Sequence, residues 1–71
     1  MHVNLNLGFA SLSNLEAQAT IKTMNGQLVD IASENGLDRP MVKFFLADDV
    51  VAENRYLLDP WDVKFKGMLD D

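Results

Sequence analysis

The chain offers little of the chemistry that catalysis requires. Its one histidine, His2, lies beside Met1 in an end expected to fray, which makes a poor base or metal ligand. With no cysteine, a nucleophile would have to be Ser11, Ser13 or Ser33, and none has a histidine nearby in sequence to activate it. Asp48, Asp49 and Glu53 cluster, but they lack the spacing of a calcium loop, and paired aspartates before an apolar run act as helix caps. No glycine-rich phosphate cradle is present. The chain is therefore expected to be non-enzymatic, without a catalytic site, metal or cofactor.

The elements that position the remaining residues follow from periodicity. His2 to Phe9 alternates polar or small with apolar residues, the pattern of a strand burying Val3, Leu5, Leu7 and Phe9. Trp61, Val63 and Phe65 alternate in the same way after Pro60, so the two ends are expected to pair as a small sheet. Between them the period becomes helical. Ser13-Asn14-Leu15-Glu16 has the form of a capping box and starts a helix near residue 14. Ala17, Ile21 and Met24 form its apolar stripe, and Asn25-Gly26 supplies a left-handed stop. A second helix over 27–35 puts Leu28, Ile31 and Ala32 on one face and closes at Gly36. Pro40 in a first helical turn opens a third, with Met41, Val42, Phe45 and Leu46 inward. Val50 to Leu58 reads as a short fourth helix, although its β formers also allow a hairpin turning at Asp48-Asp49.

Within residues 28–47, Ile31 and Ala32 stand where a first helix buries its contacts, Gly36 stands at the turn, and Val42 and Phe45 fall where a second helix packs back. The segment resembles the DNA-binding helix-turn-helix family, and DIASENGLDRPMV is similar to the turn of small bacterial and phage repressors. Asn35 departs from that pattern, since an apolar residue is usual there. The resemblance implies a second helix lying in the major groove, with Asp38, Arg39, Lys43, Phe44 and Ala47 on its outer side.

Charge opposes that implication. The formal net charge is −5, and residues 48–71 hold seven acids against three bases. Such a field repels phosphate backbones and anionic membranes and speeds encounter with a basic protein surface, besides keeping a small protein soluble. Arg39 and Lys43 are the only cations on the second helix, whereas DNA binders typically make about six or more phosphate contacts. The same two cations beside Phe44, left outside when Val42, Phe45 and Leu46 face inward, form a protein-binding face instead. A solvated helix face and a tucked-in Phe44 are the plainer alternatives. Trp61 is the largest apolar anchor; it suits the core of the last strand or an interface.

No cysteine, no apolar run long enough to span a membrane and no signal-peptide pattern together fit a soluble cytoplasmic protein. The expected fold is one small α+β domain over residues 1–71, with three to four short helices and a helix-turn-helix-like corner packed on a sheet of the terminal strands. The expected function is that of a small acidic regulatory protein that binds another protein, of the kind phage-type inhibitors or adaptors of transcription or nucleic-acid-processing machines represent. A dimeric helix-turn-helix DNA-binding repressor is the alternative, and a structural assembly subunit using its sheet edges the third.

Overall fold

The computed structural model describes residues 1–70. A capping box starts the single long helix α1, Asn14–Glu34: Ser13 Oγ accepts from the Glu16 amide, and the Glu16 carboxylate accepts from the Ser13 amide. This is where the sequence places a helix start. The expected stop at Asn25-Gly26 is absent, and helices one and two are one continuous element. Glycine within a helix costs about 1 kcal/mol relative to alanine, but a second end there would expose unsatisfied backbone groups. Burial of Ala17, Ile21, Asn25, Val29 and Ala32 along one side favours continuity. Ile31, expected on the packed face, is exposed. The helix closes at Asn35, and Gly36 takes φ +86°, the positive φ expected of it.

The third and fourth helices do not form. Residues 35–42 are a loop, followed by strands β2 (Lys43–Leu46), β3 (Asp49–Arg55) and β4 (Asp59–Phe65), with β1 at His2–Leu5. Pro40 opens no helix; it is buried in the loop. The β-rich composition of 42–58 prevails over the helical reading, and the hairpin alternative at Asp48-Asp49 lies close to the observed turn over Ala47 and Asp48. Residues 28–47 therefore contain no helix-turn-helix corner; they run from the end of α1 through a loop into a strand.

The sheet order is β1-β2-β3-β4, with β1 parallel to β2 and the other pairs antiparallel. Helix α1 supplies the long crossover that a parallel pair needs. The terminal strands, expected to pair with each other, are instead the two opposite edges. Leu7 and Phe9 fall in a short 3₁₀ turn, Leu7–Ser11, instead of continuing β1.

The core lies between α1 and one sheet face. Val42, Phe44 and Leu46 share that side at the strand period of two, together with Val51, Ala52 and Val63. Ala17 and Ile21 meet them from the helix, and Leu69, from the 3₁₀ turn Gly67–Leu69, closes one end. Among the described residues, no helix is long and apolar enough to cross a membrane.

Candidate protein-binding surface

Strand direction gathers specific residues at one end of the molecule. The start of β1, the start of β2, the β3–β4 turn over 56–58 and the C-terminal end of α1 all lie there. The chain's beginning is tied into this end, because the Met1 amine donates to the Met41 carbonyl at 2.8 Å and the Lys43 amide donates to the Met1 carbonyl at 2.9 Å. The ring of His2 lies 5.1 Å from that of Phe45 on the open sheet face, so this end is anchored where fraying was expected.

Seven of the eleven exposed large apolar side chains sit at this end: Met1, Ile31, Leu37, Met41, Leu57, Leu58 and Trp61. Leu57 and Leu58 are exposed because a hairpin turn has no second layer to cover it; Leu58, at 80% exposure, forms the tip. Isolated apolar side chains on a surface need no explanation, and it is their grouping that makes this end the candidate surface.

Leu58 separates two grooves. On the open sheet face, a groove of about 450 Å³ has Met41, Tyr56, Leu57 and Leu58 as its apolar wall and Lys43, Glu53, Arg55 and Lys64 on the sheet. On the helix side, a smaller groove of about 280 Å³ is lined by Ser33, Asp38, Arg39, Leu58, Pro60 and Trp61.

The first groove carries an ordered charge pattern. Glu53 stands opposite Lys43 on β2 and opposite Lys64 on β4, so both lysines flank it on the same face. The ion partner of Glu53 is Lys66, at 2.7 Å, and that hydrogen bond holds its carboxyl below the usual carboxylate range against the opposing effect of burial. The charges of Lys66, Lys43 and Lys64 add to the lowering. Arg55 pairs with Asp62 at 3.2 Å.

The sequence-derived residues separate in the fold. Arg39 lines the helix-side groove and donates through Nη1 to the Leu57 carbonyl, linking the loop to the hairpin turn. Lys43 lines the sheet-side groove. Phe44 is at 0% exposure and cannot meet a partner; a strand turns it to the helix side, opposite Ala52, where the expected helix would have left it outside. Trp61 is not in the core, being 50% exposed, and its Nε1–H donates to Asp30 of α1 at 2.9 Å. It is placed as an interface anchor can be, with the indole oriented by that bond.

Tyr56, Leu57, Leu58 and Lys64 are not singled out as site residues by the sequence, and Met41, expected to face inward from a third helix, is exposed on this surface. The signal was the Leu57-Leu58 pair just before Asp59-Pro60, an apolar doublet at a turn-forming dipeptide, which the helical reading of 50–58 absorbed. Among the described residues, no three His, Cys, Asp or Glu side chains come together to hold a metal ion. No family model matches this chain, no curated protein is significantly similar to it, and no solved structure matches it.

Proposed function

We propose that this chain is a small non-enzymatic regulatory protein that acts by binding another protein, and that it docks through the β3–β4 hairpin end. The observation that carries the reading is the grouping of Met41, Leu57, Leu58 and Trp61 around two adjacent grooves. An aromatic anchor beside an arginine, as Trp61 is beside Arg39, has the composition of a protein-binding hot spot.

The link to nucleic-acid machinery came from the helix-turn-helix resemblance, and without that corner no observation favours it over other protein partners. Groove reading of DNA would need a helix at 39–47, where the chain forms a loop and β2. Assembly through the β4 edge is also disfavoured. On β4, the amides of Trp61 and Val63 donate to the carboxylates of Asp59 and Asp62, which blunts that edge toward an incoming strand.

The immobilised 71-residue chain is expected to retain a stoichiometric partner from a cell lysate. Leu58→Asp is expected to release it. Leu15→Asp, at an equally exposed leucine on the opposite end of the molecule, is expected to retain it. Retention by Leu58→Asp would exclude the hairpin end as the docking surface.

A further inference from the structure

The sheet-side groove has a charge opposite to that of the chain around it. Three cations line it against one carboxylate, Glu53, in a protein of net charge −5. Glu53 and Arg55 are each engaged, by Lys66 and Asp62 respectively. Lys43 and Lys64 form no salt bridge among the described residues, and they stand on either side of Glu53 on strands whose backbones are about 9 to 10 Å apart, two strand spacings. Met41, Leu57 and Leu58 form an apolar wall next to them.

We infer that this groove takes an acidic and apolar segment of a partner protein, with two carboxylates on Lys43 and Lys64 and apolar side chains against Leu57, Leu58 and Met41. The inference rests on the docking surface proposed above and names the chemistry of its occupant. Charge complementarity selects that occupant. A basic segment would meet two ammonium groups outside any salt bridge, and an apolar one would leave them only the Glu53 carboxylate that Lys66 already engages. A nucleic acid would find two such cations where about six phosphate contacts are typical, and the acidic remainder of the chain would repel the rest of its backbone. A second copy of this chain would bring the same groove charge to a symmetric contact.

The test is an NMR titration of the isotope-labelled full chain with a capped peptide of about ten residues centred on Glu-Leu-Leu-Glu, long enough to cross two strand spacings. The backbone resonances of Lys43, Tyr56, Leu57, Leu58 and Lys64 are expected to move. Affinity is expected to fall about tenfold between low and physiological salt, as screening of exposed charges requires. The double variant Lys43→Gln, Lys64→Gln is expected to keep a folded spectrum and lose about tenfold in affinity. The assignment is overturned if the peptide leaves these resonances unmoved, or if a Lys-Leu-Leu-Lys peptide binds as well. It is also overturned if a short oligothymidylate displaces the acidic peptide from them, or if they shift with protein concentration alone, as a second copy would cause. Failure of the parent reading looks different. A captured partner lost by Leu58→Asp but kept by the double lysine variant rejects the acidic segment and leaves the docking surface standing, whereas a partner kept by Leu58→Asp rejects both.

Discussion

The side-chain amides of Asn25 and Asn54 converge on one acceptor, the carbonyl oxygen of Pro60, at 2.9 and 3.1 Å. Asn25 comes from the middle of α1 and Asn54 from β3, so a single backbone oxygen at the start of β4 joins the helix to the sheet. Asn54 does more, since its amide also donates to the Pro40 carbonyl at 2.8 Å and its Oδ1 accepts from the Val42 amide at 2.8 Å. It therefore fixes the loop that leads into β2 and the start of the hairpin end.

The two asparagines are expected to differ in cost. Asn54→Ala strands the Val42 amide and the Pro40 carbonyl in a buried site, and should lose about 2 to 4 kcal/mol of stability. Asn25→Ala should lose only about 1 kcal/mol: Asn54 still serves Pro60, the Oδ1 of Asn25 is buried with no partner, and alanine is the better helix former. Urea unfolding of both variants checks this; equal losses would mean that Asn54 is not the organising residue.

Gly26 distinguishes one helix from two. A Cβ added there meets nothing within 4 Å, and the residue lies inside α1. Gly26→Ala is expected to raise stability by roughly 0.5 to 1 kcal/mol and to increase helical circular dichroism. A left-handed helix stop at this position would give the opposite sign.

Ala47 has φ +54° in the β2–β3 turn, a region that costs an L-residue with a Cβ about 1 kcal/mol. Two-residue hairpin turns place glycine at such positions. Ala47→Gly is therefore expected to stabilise the fold by up to about 1 kcal/mol in thermal or urea unfolding, because the relieved strain outweighs the added freedom of the unfolded chain.

Glu53 links stability to pH. Its folded pKa is lowered, first by the Lys66 hydrogen bond, so its contribution is fully present well above the unfolded value of about 4.3 and is lost as pH falls from there through the folded value. The pair is partly exposed, which limits the effect to about 1 kcal/mol or less. Glu53→Gln should flatten that part of the stability profile in unfolding experiments between neutral and acidic pH, with little change in its slope from neutral to mildly acidic conditions.

Local chemistry determined what a few neighbouring residues can settle by themselves. Ser13 and Glu16 cap each other within one turn, and Gly36 can adopt a positive φ at little steric cost, so the start of α1 and its closing turn were legible. Alternation marked strands near both ends, at β1 and β4. The third and fourth helices were misread because Val42 to Leu58 satisfies both periods locally, and only pairing with β1 and β4 chooses the strand. That choice also decides Phe44. At a helical period it lies away from Val42 and Leu46, but at a period of two it joins them in the core. The continuity of α1 is favoured by burial of one side against the sheet, where Asn25 also reaches a carbonyl 35 residues further along the chain, a distance no local pattern encodes. The hairpin end is equally non-local: Leu57, Leu58, Met41, Trp61 and the lysines beside Glu53 become one surface only when strand register brings them together.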